Sequence, residues 1–136
     1  MAQKYGLSYE FKIIGRSIAG VDWRTMGAGP LPATEKVLKK TGLNINDIDA
    51  IELNEAFAAQ SLYVIKKGGW DIDKININGG AIALGHPLGC SGARILITLL
   101  SVLRQEGGSI GCAGVCNGGG GASAMVLQRL VSNSAL

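Results

Sequence analysis

Glycine constrains this chain most. It supplies 21 of the 136 residues, roughly twice the usual share of about 7%. Most fall in two clusters, at 79–92 and 107–121, with no three-residue period. A collagen helix is therefore excluded. Clustered glycines mark places where backbone must approach something closely. The rest of the composition calls for a folded domain: 47% of residues are hydrophobic and 17% charged. A disordered chain would lack the apolar surface to offset its ordering entropy, and a coiled coil would be dominated by Ala, Glu, Lys, Leu and Arg at fixed spacing. The length suits one domain spanning 1–136.

Several function classes fall away. Aromatics make up only 5%, a poor basis for stacking on nucleic acid. The net charge of +3 is spread without a basic run longer than two, so neither nucleic acid nor membrane is an expected partner. The N-terminal MAQKYGLSYEFK has no apolar signal core and no Arg-rich presequence. The longest apolar stretch, about 95–103, is interrupted by Thr98 and Ser101 and is too short for a bilayer. Three cysteines, Cys90, Cys112 and Cys116, form no even disulfide framework. The expected location is cytoplasmic.

Periodicity and punctuation give the element order β-α-β-α-β-α-β-β. Strands are expected at 11–19, 50–53, 75–77, 109–116 and 122–130. One helix runs from Pro32 to about Thr41, with Lys36, Lys39 and Lys40 outward and Gly42 as a left-handed stop. A second begins at Asn54, with Ala58, Ala59, Leu62, Ile65 and Tyr63 at helical spacing. A third spans 93–105. Alternating strands and helices predict a mostly parallel, helix-covered sheet, with the last two strands antiparallel across the glycine turn at 117–121. Ligands in such folds bind beyond the carboxyl ends of the strands.

Three segments at strand ends carry reactive groups. His86 is the only histidine. A lone histidine is commonly structural, but here Gly85 and Gly89 leave the ring accessible and Pro87 holds it in extended backbone. Imidazole exchanges protons near neutrality. Cys116 precedes Asn117 and four glycines, whose backbone N–H groups can face a ligand as an oxyanion hole requires. Cys112 reads as a core residue, and Cys90 equally well as small-residue packing. Asn54 is either a helix N-cap or an amide that orients water or a substrate carbonyl. No cysteine pair has metal-ligand spacing and the histidine is distant, so no metal is expected. No Gly-Lys-Ser/Thr follows Gly118 and no helix follows the glycine turn, which excludes a P-loop and a dinucleotide fingerprint.

These residues resemble a known family. Asn54-Glu55-Ala56-Phe57, the block 79–94 (GGAIALGHPLGCSGAR) and Cys116-Asn117-Gly118 resemble, in order, three blocks of the thiolases. Met26-Gly27-x-Gly29-Pro30 is similar to the family's segment ahead of the first. The likeness runs from about Gly6 to Leu130 and corresponds to the C-terminal half of a thiolase subunit. The tail CNGGGGASAM is most similar to the acetyl-CoA acetyltransferases. The resemblance implies a five-stranded mixed sheet packed against a second, similar half. It also implies Claisen condensation of acetyl-CoA, or the reverse thiolysis, with coenzyme A thioesters as substrates and no further cofactor. By the same resemblance His86 is the base that activates a nucleophilic cysteine. Asn54 holds a water that, with His86, stabilises an oxyanion. Cys116 is the acid/base at the substrate α-carbon, Gly118 lends its N–H to the second oxyanion hole, and Met26, Ala56 and Phe57 line the acyl pocket.

The chain also departs from the family. The nucleophilic cysteine and the loop region that grips coenzyme A belong to the N-terminal half, and neither Cys90 nor Cys112 matches that nucleophile. The expected partner is a thiolase N-terminal half on another chain, in an oligomer. The expected activity is that of a composite site, the isolated chain being inactive. The helix at 93–103 is apolar at seven of eleven positions, which calls for cover on more than one side. The competing reading is a non-catalytic acyl-CoA-binding or scaffold subunit of the same fold.

Overall fold

A computed structural model describes residues 3–6 and 9–130. The strands are β1 (Phe11–Gly20), β2 (Ala50–Leu53), β3 (Ile110–Cys116) and β4 (Gly121–Arg129). The helices are α1 (Pro30–Thr41), α2 (Ala58–Gly68), the single turn α3 (Ala81–Leu84) and α4 (Ser91–Gln105). The sheet order is β1-β4-β3-β2. Only β2 and β3 are parallel, since β4 runs antiparallel to both its neighbours. The sheet is mixed, as expected, but it has four strands and not five, and it is mostly antiparallel and not mostly parallel.

The missing strand has a local cause. At 75–77 the chain makes one bridge, Ile51 to Ile75, and then Asn76 turns to φ +49°, outside the extended region. The Asn76 side chain takes over the ladder. Its Oδ1 accepts from Leu53 N at 2.9 Å and its Nδ2 donates to Leu53 O at 2.9 Å. The edge of β2 is therefore satisfied by one amide in place of a strand.

Side-chain alternation sorts the sheet into two faces. One carries Ile51, Leu53, Cys112, Ala122, Ala124 and Val126, packed against Ala33, Val37 and Leu38 of α1 and Val64 of α2. The other carries Ala50, Ala113 and Leu127 beneath Ile95, Leu99, Val102 and Leu103 of α4. Each fully buried aliphatic side chain contributes roughly 1.5–3 kcal/mol. Gly111 lets α4 settle close: a Cβ there would lie 2.7 Å from Leu99 Cδ1. Among the described residues, no helix is long and apolar enough to cross a membrane.

Helix α1 matches expectation. It starts at Pro30, two residues before the expected Pro32, while Lys36, Lys39 and Lys40 face solvent and Gly42 at φ +73° donates to Leu38 O as the expected left-handed stop. Helix α2 does not. It starts at Ala58, not Asn54, and buries Gln60, Ser61 and Val64. Leu62 and Tyr63, at helical spacing with the expected apolar face, are exposed. The helix is rotated because its inner face meets the 3-10 segment Trp23–Ala28, where a Cβ on Gly27 would collide with the Gln60 stem. Helix α4 is half covered: Leu96 and Leu100 are partly buried and Ile97 is 67% exposed.

Candidate active site

The site forms at the carboxyl ends of β2 and β3, where the ladder ends and the chain must turn away. Asn54 continues β2 by one residue. Its N–H donates to Gly114 O at 2.9 Å, so its side chain is delivered into the interior, fully buried. It is not a helix cap. Its Nδ2 lies 3.3 Å from His86 Nε2, while Oδ1 has no protein partner.

His86 is held by the second glycine cluster. Gly80 starts α3, and the turn ends at Gly85, whose φ of +94° aims the chain at His86. Glu55 anchors this segment. Its carboxylate accepts from Ile82 N at 2.9 Å and from Asn76 Nδ2 at 3.0 Å, and it packs so closely on Gly80 that a Cβ there would displace the carboxylate. On the far side of the ring, His86 Nδ1 lies 2.6 Å from Ser91 Oγ at the start of α4. Two strands' worth of scaffold and one helix thus fix a single imidazole.

Cys116 ends β3, 9% exposed. Burial raises its thiol above the ordinary value, only partly opposed by a backbone hydrogen bond. Cys112, further back along the strand, is fully buried and pushed up to about 12 by desolvation, as befits an inert core thiol. Cys90 is exposed. After Cys116 the chain reverses through Asn117. The Asn117 Oδ1 accepts from Gly119 N and Gly121 N, both at 3.2 Å, and Gly120 N donates to Asn117 O. None of these bonds uses the exposed Gly118 N–H.

Met26, Ala56, Phe57, His86, Cys116 and Gly118 line one open cavity of about 710 Å³, and Asn54 stands behind His86. The structure therefore brings six of the seven residues singled out in the sequence to one wall. Its other lining groups include Leu88, Val115, Asn117 and Ser123. The arrangement offers a thiol, an imidazole and the unused backbone N–H of Gly118 around a largely apolar recess, groups of the kind that acyl transfer uses. Sequence reasoning missed Ser91, Glu55 and Asn117. Asn117 carried a signal, since Asn before glycines makes such turns. Ser91 and Glu55 lie inside the blocks 79–94 and 54–57, but their contacts cross loops and no spacing or composition singled them out.

Fold and site are those of an α/β domain with a cavity at its strand ends, and the family follows: residues 8–129 match the thiolase C-terminal domain family, to which the chain belongs. A 3-ketoacyl-CoA thiolase of a Marinomonas species is 53% identical over 132 residues, covering 95% of this chain and 34% of that protein. An acetyl-CoA acetyltransferase of Syntrophomonas wolfei is 49% identical, with 95% and 33% covered. Among solved structures, the acetyl-CoA acetyltransferase of Bacillus anthracis superposes with a TM-score of 0.92 at 45% identity, over 95% of this chain and 33% of that one. Human mitochondrial 3-ketoacyl-CoA thiolase in complex with CoA gives 0.93 at 45% identity, over 95% and 33%. The chain spans about a third of the length of these relatives.

Proposed function

We propose that this chain forms the C-terminal catalytic part of a thiolase, an acyl-CoA C-acyltransferase that joins two acetyl groups as acetoacetyl-CoA or runs the reverse thiolysis. The convergence of His86 and Cys116 on one cavity, with Asn54 behind the imidazole, carries the reading. The nucleophilic cysteine would come from a thiolase N-terminal half, which lies outside this sequence.

The movement of protons assigns the roles. As the nucleophilic sulfur attacks the first thioester, His86 takes its proton. Cys116 gives its own proton to the departing coenzyme A thiolate. The raised affinity of the Cys116 thiol for its proton suits that step, because the group rests as a thiol. The resulting Cys116 thiolate then takes a proton from the α-carbon of the second acetyl-CoA. The carbanion attacks the acyl-cysteine, the carbon–carbon bond forms, and the leaving nucleophile regains its proton from His86. Asn54 would hold a water that, with His86, stabilises the first oxyanion, and its unpartnered Oδ1 supplies an acceptor for that water. Gly118 N–H serves the second oxyanion. Met26, Ala56 and Phe57 would bound the acyl group.

The place of the missing half is supported by an uncovered sheet face. Helix α4 covers β2 and β3, but the same face of β1 and β4 exposes Ile13 (60%) and Ile18 (71%). Beside them an open depression of about 540 Å³ is lined by Leu96, Val115 and Met125 among others. An obligate interface of this kind is large and apolar, like a core cut in two.

The test is a chimera in which this chain replaces the matching third of the Bacillus anthracis acetyl-CoA acetyltransferase. It should cleave acetoacetyl-CoA with coenzyme A, whereas the chain alone should not. His86→Ala and Cys116→Ala should each lower turnover roughly 10²–10⁴-fold, the usual worth of a positioned acid/base. Substantial turnover by the chain alone would overturn the reading, as would a fully active Cys116→Ala chimera.

A further inference from the structure

His86 touches two side chains, and together they determine where its proton sits. On one edge Asn54 Nδ2, a donor, faces Nε2 at 3.3 Å. On the other, Ser91 Oγ lies 2.6 Å from Nδ1. A serine hydroxyl carries a single proton, and here it has another acceptor: Ser91 Oγ donates to Pro87 O at 3.1 Å, one helical turn back. Ser91 is 2% exposed, so no competing solvent bond is at hand.

One proton arrangement satisfies all three contacts. Asn54 donates to Nε2, Nδ1–H donates to Ser91 Oγ, and Ser91 O–H donates to Pro87 O. The opposite tautomer would require the Asn54 amide to turn over and the Ser91 proton to leave Pro87 for Nδ1. That arrangement makes two bonds where the first makes three, and the lost bond is enough to populate one tautomer predominantly. We propose that Ser91 is a positioning residue: it fixes His86 in the Nδ1–H form and leaves Nε2 as the lone-pair nitrogen on the cavity side. The contact to Asn54 is long for a hydrogen bond, so the Nε2 lone pair can turn to an incoming proton. The consequence for catalysis rests on the thiolase reading above; the tautomer itself does not.

A sequence with one histidine makes the test direct. Two-bond proton–nitrogen NMR correlations on the 15N-labelled chain, recorded well above the ordinary imidazole range of about 6.5, report which ring nitrogen carries the proton. Nδ1–H is expected in the unmodified chain. In Ser91→Ala the population should shift toward Nε2–H, and Ser91→Thr, which keeps the hydroxyl, should restore it. Circular dichroism checks that the variants fold. An Nε2–H form in the unmodified chain, or a folded Ser91→Ala that keeps the tautomer, would overturn the proposal. In the chimera, Ser91→Ala should lower turnover up to roughly 10-fold, what the loss of one intramolecular hydrogen bond is worth. A shifted tautomer with unchanged turnover would count against His86 as the base while sustaining the role of Ser91 in setting the proton.

Discussion

Two residues ahead of Asn54 on β2, Glu52 is 1% exposed and paired with Arg94 of α4 at 3.2 Å. The pair ties the strand that carries Asn54 to the helix that carries Ser91. Burial pushes the Glu52 carboxyl up from 4.5 to about 7, against the pull of Arg94 and with a smaller push from Glu55. A folded-state value above the unfolded one means that the folded chain binds the extra proton between the two. Its contribution is fully present below about 4.5 and is lost as pH rises through about 7. A rise of about 2.5 in pKa, at about 1.4 kcal/mol for each unit, amounts to about 3 kcal/mol.

Glu52→Gln imitates the protonated form at every pH. Two effects compete in it. Releasing a buried carboxylate from desolvation stabilises, while stranding its partner cation costs about 3–5 kcal/mol when that cation is buried too. The Arg94 side chain is 18% exposed against 1% for Glu52, yet its Nε and Nη2 are buried without a partner; the net rise of the Glu52 carboxyl already sets desolvation against the attraction of Arg94, and desolvation prevails. Urea unfolding should therefore give matching stabilities for the chain and for Glu52→Gln at about pH 4.5, and a variant more stable by up to about 3 kcal/mol at about pH 8. A Glu52→Gln chain less stable than the original at about pH 8 would refute the reasoning and show that the attraction to Arg94 exceeds the cost of burying the carboxylate.

Other outcomes follow from single contacts. Gly118→Ala should leave thermal stability within about 0.5 kcal/mol, because nothing lies within 4 Å of its missing Cβ, yet it should depress turnover of the chimera by crowding the reacting oxygen. A variant that unfolds would assign the glycine turn to structure alone. Gly111→Ala should cost about 1–3 kcal/mol in a denaturation series, since its Cβ would meet Leu99 and Leu103; an unchanged midpoint would show that α4 yields. Asn76→Ala removes both bonds to Leu53 and one to Glu55 and should cost about 1–3 kcal/mol. Hydrogen exchange at Leu53 N–H should then rise, and undiminished protection there would contradict the role given to the amide.

What the sequence disclosed depended on how local its causes were. Helix α1 was legible because Pro32, the outward lysines and Gly42 are all local signals. The glycine turn after Cys116 was legible for the same reason. The third expected strand was not: Ile75 and Ile77 have strand composition, but Asn76 bends the chain and pairs with Leu53 from 23 residues away. Asn54 looked equally like a cap, and only the parallel ladder bond to Gly114 makes it an interior extension of β2. The rotation of α2 depends on Gly27 meeting Gln60, a contact invisible to helical periodicity. The site residues His86 and Cys116 announced themselves by their glycine settings. Ser91 and Glu55, which hold the site from behind, are joined to it only by the fold.

His86 and Cys116 are given different protons to move, and acylation of the chimera separates them. Intact-mass measurement after brief exposure to acetyl-CoA should find an acetyl group on the nucleophilic cysteine in the unmodified chimera. Cys116→Ala, in which water in place of the thiol protonates the departing coenzyme A thiolate, should still acylate but stall before the carbon–carbon bond forms, whereas His86→Ala should acylate roughly 10²–10⁴-fold more slowly. Rapid acylation of the His86→Ala chimera, at the rate of the unmodified one, would contradict this division of roles.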